Sequence, residues 1–527
     1  MQTHAQSAEP PWTCCLAQPK RYRLPAPPTA TTGSISASRP AAFPFRPYSP
    51  PPYKDRSMHA DIITSHRHHV PHAHTHIMAR HPASSASPLA LAAAALLFLC
   101  LLSACRAAAA GSKQPITAVV LPVSKDDATQ QYVTGFRQRT PLVPVKAVLD
   151  LAGATLWVDC DGYASSTYTR VPCGSTLCRG LSRSPACATT CSGAPSPSCL
   201  NDTCGGFPEN TVTRLSTGGN VITDVLALPT TFRPAPAPGP LATAPAFLFA
   251  CGSTSLTRGL AAGAAGMASL SRARFALPTQ LASTFRFSRK FALCLPPAAA
   301  AGVVVFGDAP AYAFQPGVAL SATDLTYTRL LVNPVSTAGV SARGDKSDEY
   351  FVGVTGIKVN GRAVPLNATL LAIDRKRGGV GGTKLSTVAP YTVLESSIYK
   401  AVTDAFAAET AMIPRAPAPP VPPFKLCYDG SKVGSTRVGP AVPTIELVLG
   451  DEATSWVVFG ANSMVATQGG ALCLGVVDGG KAPRTSVVIG GHMMEDNLLQ
   501  FDLEASRLGF SSSLLFRQTN CNNFHLG

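Results

Sequence analysis

A β-dominated fold built twice over is what this sequence predicts, and three observations lead there. Short β-branched runs separated by Gly, Pro and Asn turns recur along the chain. Helical periodicity is rare. One strand–turn–strand pattern returns in the second half of the chain.

The runs predict strands over 116–122, 146–150, 155–158, 302–307, 351–359 and 444–449. The clearest helix is 396–408, with Tyr399, Val402, Phe406 and Ala407 on one face. Two proline-rich tracts, 234–240 and 414–423, read as surface loops. The repeat pairs Lys146–Trp157 with Gly382–Val393: an apolar strand, a polar residue at a tight turn (Asp150 or Ser386), then a second apolar strand. Far downstream of each lie apolar residues and glycine, at Gly266 and at Gly490-Gly491.

Charge excludes one class of partner. The net charge is +15 over 527 residues, but residues 1–110 carry 10 Lys and Arg against 3 acids, leaving 34 against 26 beyond them. No basic run with interleaved aromatics occurs, so no nucleic-acid partner is expected. Mild basicity suits an acidic surface instead. Nine of 11 histidines fall before residue 82. The two that remain, His492 and His525, leave little room for a Ser-His-Asp or Cys-His enzyme. No metal and no cofactor are expected.

Residues 88–104 form one apolar run, preceded by Arg80 and His81 and followed by small residues to Gly111. That is a signal-peptide pattern, and the run is shorter than the ~20 residues of a spanning helix. We read 78–110 as the signal peptide, Met78 as the start, and 1–77 as a disordered gene-model extension. The expected product is secreted to the apoplast or cell wall, without a membrane anchor once the signal is cleaved.

Twelve cysteines follow the signal: Cys160, Cys173, Cys178, Cys187, Cys191, Cys199, Cys204, Cys251, Cys294, Cys427, Cys473 and Cys521. An even dozen in an exported chain implies up to six disulfides. Seven crowd into 160–204, a Gly/Pro/Ser-rich stretch without histidine, which predicts a stapled loop and not a zinc site. Asn201 and Asn367 head glycosylation sequons.

Several segments together carry a family resemblance: Val148-Leu-Asp-Leu-Ala-Gly153, Leu156-Trp-Val-Asp-Cys-Asp161, Phe249-Ala-Cys-Gly252, Cys427-Tyr-Asp429, the Val488–Asp496 run and Arg507-Leu-Gly-Phe510. From about 116 to 524 the chain resembles the plant branch of the pepsin-like aspartic proteases, the TAXI-type xylanase inhibitors and their basic 7S globulin-like relatives. The resemblance implies an all-β, bilobal pepsin-like fold, with lobes over 111–335 and 336–527 facing across a cleft. A Cys427–Cys473 bond within the second lobe and a monomer are also expected.

Aspartic peptidases need two carboxylates ~3 Å apart sharing one proton. Asp150 stands at the first position, and Ser386 replaces the second. Leu151 cannot supply the hydroxyl that braces the two turns in active members. Val388 stands where they have glycine, and the flap, the hairpin that covers substrate, corresponds to Gly206–Val212 without its tyrosine. The resemblance therefore implies a pseudoprotease. Alone, Asp150 is expected to accept backbone N–H bonds and hold its turn. Trp157 is expected in the core, and Asp159 and Asp161 are expected to cap a loop.

Inhibitory relatives plug a xylanase cleft with a histidine just before the last cysteine and a leucine after Cys-Tyr-Asp; by position these are Arg517 and Arg437 here. The leading expectation is a plant-defence inhibitor of microbial family 11 endo-xylanases, with secreted glycoside hydrolases as partners. Two alternatives stay open: a residual aspartic endopeptidase, and a binding protein for another wall hydrolase or a peptide ligand.

Overall fold

Two copies of one strand arrangement organise the molecule. The computed structural model describes residues 115–526 apart from 182–185, 233–239, 316, 342, 418–420 and 451–453. The extension and signal peptide read from the sequence lie outside the described residues.

The first half contributes β1 (Ala118–Lys125), β2 (Val143–Asp150), β3 (Trp157–Asp159), β4 (Leu241–Gly252), β5 (Gly266–Ser269), β6 (Lys290–Cys294) and β7 (Gly302–Gly307). The second contributes β8 (Thr326–Leu331), β9 (Thr383–Leu385), β10 (Thr392–Leu394), β11 (Val476–Asp478), β12 (Val487–Ile489), β13 (Asn497–Asp502) and β14 (Arg507–Ser513). β5 inserts between β2, to which it runs parallel, and β3, to which it runs antiparallel; β4 runs parallel to β3. β12 repeats this, parallel to β9 and antiparallel to β10, with β11 parallel to β10. In register, Asp150 pairs with Ser269 and Leu385 with Ile489, so the two predicted turns emerge from equivalent places.

Glycine is required at the crossing. A Cβ on Gly266 would sit 2.0 Å from the Trp157 carbonyl oxygen, far inside van der Waals contact. The glycines of the duplicated segments are not equivalent: Gly266 opens β5, whereas Gly490 follows β12, where a Cβ would meet the Tyr391 carbonyl at 2.3 Å.

A six-stranded antiparallel sheet joins the halves, in the order β1-β7-β6-β13-β14-β8. Its middle pair, β6 and β13, stacks Phe291 on Phe501 at 4.6 Å, and Tyr350 packs on both rings. Each fully buried phenylalanine contributes about 1.5–3 kcal/mol. The halves thus share a continuous core.

The predicted strands are present, 302–307 with its expected ends and the others with shifted ones. The expected 351–359 strand is split in two, at Phe351–Val352 and Val354–Val359. The predicted helix is Ser396–Glu409 (α1), capped by the Glu395 carboxylate on the N–H groups of Ser397 and Ile398. Its core face is Ile398, Tyr399, Val402 and Phe406, so Ile398 replaces the expected Ala407. All twelve cysteines pair: 160–251, 173–187, 178–204, 191–199, 294–521 and 427–473. Three bonds staple the 173–204 loop and a fourth ties Cys160 to β4. Among the described residues no cluster of His, Cys, Asp and Glu could hold a metal, and no helix is long and apolar enough to cross a membrane.

Candidate functional site

β2 ends by delivering Asp150 into the interior, where it is 2% exposed. Its Oδ1 accepts the Ala152 N–H (2.8 Å), the expected turn-holding role. Its Oδ2 accepts the Thr211 hydroxyl (2.9 Å). Thr211 lies in the loop between strands Glu209–Asn210 and Leu215–Ser216, which form the flap hairpin. The Trp157 indole N–H donates to the Glu209 carbonyl, so the buried tryptophan also supports the flap. Ser269 and Ser271 donate to the Gly153 carbonyl and complete the first turn. Burial pushes the Asp150 carboxyl up to about 6 against the two hydrogen bonds, and the negative charges of Glu349 and Glu209 add to the rise.

The second turn follows β9. Ser386 donates its N–H to the Ile489 carbonyl, and its hydroxyl accepts the Ala389 N–H (3.2 Å). Thr387, 1% exposed, reaches across: its hydroxyl donates to the Leu149 carbonyl (2.7 Å) and accepts the Leu151 N–H (3.2 Å). One of two possible hydroxyl braces is therefore present, on the second turn, and Leu151 supplies only its backbone. Val388 packs against the core cluster around Trp157.

Over these turns opens a cleft of about 620 Å³. Thr211 and Val212 of the flap, Ser386 and Val388, and Ala338 and Gly339 of the connecting segment are among its walls, while Asp150 lies beneath them. Among the charged residues that line the cleft, Lys384 and Glu349 form an ion pair (2.5 Å), Lys384 standing two residues before Ser386. Burial raises Glu349, but Lys384 and the hydroxyls of Thr337 and Ser347 outweigh it and hold the carboxyl below its usual range. Gly339 donates its N–H to Glu209, tying the connecting segment to the flap. Of the two turn residues, only Asp150 carries a carboxylate, and both of its oxygens are engaged.

Two candidates lie elsewhere. Arg437 is exposed in the turn between strands Ser435–Thr436 and Gly439–Pro440, without an ion-pair partner among the described residues. Arg517 ends the short helix Leu514–Arg517, 45% exposed, 3.7 Å from Asp324. Beside it Phe516, 49% exposed, packs edge-on against Phe459 at 4.6 Å. The helix Gly460–Ser463 that follows Phe459 abuts the Arg437 hairpin, with Gly439 against Ala461. Phe459 and the helix after it therefore contact both arginine-bearing segments. Asp159 and Asp161 cap the Thr254 turn as expected. Asn201 and Asn367 are both exposed.

Sequence reasoning missed Thr211, Thr387 and the Lys384–Glu349 pair. Lys384 had a signal: two residues before Ser386 on a strand, it shares that residue's face. Thr387 had one too, since it follows Ser386 as Leu151 follows Asp150.

Paired turns, an inserted strand in each half and a joining six-stranded sheet define a bilobal pepsin-like fold. Within that class, the chain belongs to the xylanase-inhibitor family: residues 132–308 match its N-terminal model and 349–512 its C-terminal model. It is similar to "Probable aspartic proteinase GIP2" of Nicotiana benthamiana, with 50% identity over 77% of this chain and 91% of the relative. Basic 7S globulin of Glycine max is 35% identical over 76% of this chain and 90% of the relative. The crystal structure of edgp superposes with a TM-score of 0.74 at 50% identity, covering 78% of this chain and 98% of that one.

Proposed function

We propose that this protein is a secreted, non-catalytic member of its family that inhibits microbial endo-xylanases, family 11 first. The observation that supports the inhibitor reading is the exposed pair Phe516 and Arg517, side by side on one short helix. A retaining glycosidase holds two carboxylates ~5–5.5 Å apart, and a planar guanidinium pairs well with carboxylate. Phe516 adds an apolar contact beside that charge. Arg517 is pre-positioned because Cys521, four residues on, is bonded to Cys294; a pre-ordered side chain loses less entropy on binding than a free tail.

The non-catalytic half rests on Ser386. A hydroxyl cannot share an acidic proton with Asp150, whose own oxygens are occupied by Ala152 and Thr211. The alternative, an aspartic endopeptidase, requires a second carboxylate at that place. Six disulfides suit an oxidising compartment. We accordingly read the mature chain as beginning near residue 111, with lobes meeting near 335 and glycans at Asn201 and Asn367.

Inhibition constants against one family 11 xylanase test the reading. Truncating one partner of a buried charge pair costs about 2–5 kcal/mol, so Arg517→Ala weakens inhibition about 30-fold or more, through faster dissociation. Arg437→Ala weakens it less. Unchanged inhibition by Arg517→Ala places the grip elsewhere, and pepstatin-sensitive cleavage lost in Asp150→Ala overturns the non-catalytic reading.

A further inference from the structure

Positive charge is concentrated in three loops that the fold draws together. The first, 374–377, is the tip of the hairpin of strands Ile373–Asp374 and Val380–Gly381 and carries Arg375, Lys376 and Arg377. The second, 481–484, holds Lys481 and Arg484, and the third, 343–346, holds Arg343 and Lys346. These three loops carry seven Lys and Arg against two acids, Asp345 and Asp374, whereas everything after residue 110 carries 34 against 26. Most of the excess positive charge beyond residue 110 therefore lies here. All seven cations are exposed. The next acids along the chain, Asp348 and Glu349, are offset by Arg272 and Lys384.

Hydrogen bonds stitch the loops to one another. Gly381 donates its N–H to the Arg484 carbonyl (2.9 Å), Arg484 donates from its guanidinium to the Ser336 carbonyl (2.7 Å), and Ser336 donates its N–H to the Asp345 carbonyl (2.8 Å). The hairpin tip is also ordered from within. The Asp374 carboxylate accepts the N–H groups of Lys376 and Arg377 (2.9 and 3.1 Å) and the Arg377 guanidinium (2.6 Å). Buried Asn333 donates to the Gly379 carbonyl (2.6 Å), and a Cβ on Gly379 would strike the Asn333 side chain at 2.2 Å. Cations held on an ordered loop lose less entropy on binding than cations on a free chain. Lys346, Arg375, Lys376 and Lys481 have no ion-pair partner among the described residues.

We propose that these three loops form a second interaction surface, at the rim of the cleft that Arg484 also lines, and that it binds a linear polyuronide through its carboxylates. Like charges gathered on one surface repel one another and draw in an anion. A guanidinium pairs bidentately with a carboxylate, and four of the seven cations are arginine. No aromatic residue stands in the three loops for a nucleic-acid base to stack on. Their uncharged residues are Gly344, Ala482 and Pro483, none of them the large anchor of a protein interface or a side chain that enters a lipid layer. A chain with a carboxylate on each sugar unit needs only spaced cations. That the protein meets such a chain rests on the secretion reading above; the binding itself does not.

The test uses the full mature protein with polygalacturonate as the probe. Binding is expected at about 0.01 M salt and should be about 10-fold weaker at about 0.15 M, where the screening length falls from about 30 Å to about 8 Å. The combined variant Arg375→Gln, Lys376→Gln, Arg377→Gln should lose about 10-fold or more at low salt. A control that removes three exposed cations elsewhere, Arg137→Gln, Arg258→Gln and Lys432→Gln, should lose no more than about 2-fold. Equal losses in the two variants overturn the patch, because net charge would then be what binds. Absence of binding by the parent at low salt overturns it too, as does equal binding of the fully methyl-esterified polymer, which lacks the charge. Polyglutamate or duplex DNA bound more tightly at matched charge overturns the choice of partner. Lysine acylation of the parent, read by mass spectrometry, needs no variant. Polygalacturonate should protect Lys346, Lys376 and Lys481 about 5-fold and leave Lys432 unchanged. Uniform protection, or none, overturns the proposal.

Discussion

The Asp150 turn and the Ser386 turn occupy equivalent places in the two halves, yet they are built for different tasks. The first is closed and acidic: its carboxylate is buried, satisfied by Ala152 and Thr211, and underpinned by Ser269 and Ser271. The second faces the cleft with a neutral hydroxyl, and its charge has moved to Lys384, paired with Glu349. Across the junction, Thr387 still braces the first turn, but nothing equivalent returns from Leu151. A duplicated fold can keep both turns in register through its sheet while their chemistry diverges.

Breaking the charge pair on the second side should have the largest effect. Lys384 and Glu349 are 19% and 13% exposed, so removing one partner leaves a nearly buried charge uncompensated. Such losses run to about 3–5 kcal/mol. Lys384→Met is expected to approach the lower figure, because the Thr337 and Ser347 hydroxyls still donate to Glu349. The folded-state carboxyl of Glu349 lies below its usual range, so its stabilisation is present above the unfolded value and is lost as pH falls through the folded one. The Lys384→Met deficit should therefore be full at pH 7 and shrink below about pH 4. Urea denaturation at both values measures it; a deficit independent of pH would mean that packing of the lysine stem, not charge, is what was lost.

The frame of this molecule was legible in sequence because its signals are local and repeated. Turn spacing, paired strands and the cysteine count all survive without knowledge of contacts, and the family resemblance places them in order. The helix Ser396–Glu409 was legible from its period, except that Ile398 displaced Ala407 from the core face. What was not legible depends on contacts between distant residues. Thr211 meets Asp150 from 61 positions away, and Thr387 meets Leu149 from 238. Nothing in the run Met494-Glu-Asp496 signals that the Asp496 carboxylate accepts the Cys521 N–H, 25 positions on. The arginines at 437 and 517 are located by position in the family, and sequence gives no sign that Phe459 and Ala461 contact their two segments.

On the first side the expected sign is opposite. The Asp150 carboxyl rises from 3.8 to about 6 on folding, led by burial. A raised carboxyl contributes stability that is present below the unfolded value and lost as pH rises through about 6. The charged form at pH 8 therefore costs up to about 3 kcal/mol. Asp150→Asn removes that cost: its amide oxygen still accepts the Ala152 N–H, and the Thr211 hydroxyl can reverse to accept from the amide nitrogen. The variant should match the parent at pH 4 and exceed it at pH 8. A variant less stable at both would show that the turn needs the ion, and the contrast between a costly first turn and a compensated second one would fail.

The smallest effect expected, about 2 kcal/mol, tests the bridge between the two sides. Thr387→Val keeps shape and burial but removes the one hydroxyl that both donates to Leu149 and accepts from Leu151. Each buried group left unpaired costs about 1–3 kcal/mol, and a carbonyl, with two lone pairs, tolerates this better than an N–H. The Leu151 N–H should therefore carry most of the loss. Thr387→Ser keeps the hydroxyl and gives up a methyl, so it should fall well short of the valine variant. Both are read as shifts in urea midpoint at unchanged slope, which separates lost stability from a changed unfolded state. If valine and serine variants unfold together, the methyl and not the hydroxyl holds the turns, and the two sides are joined by packing alone.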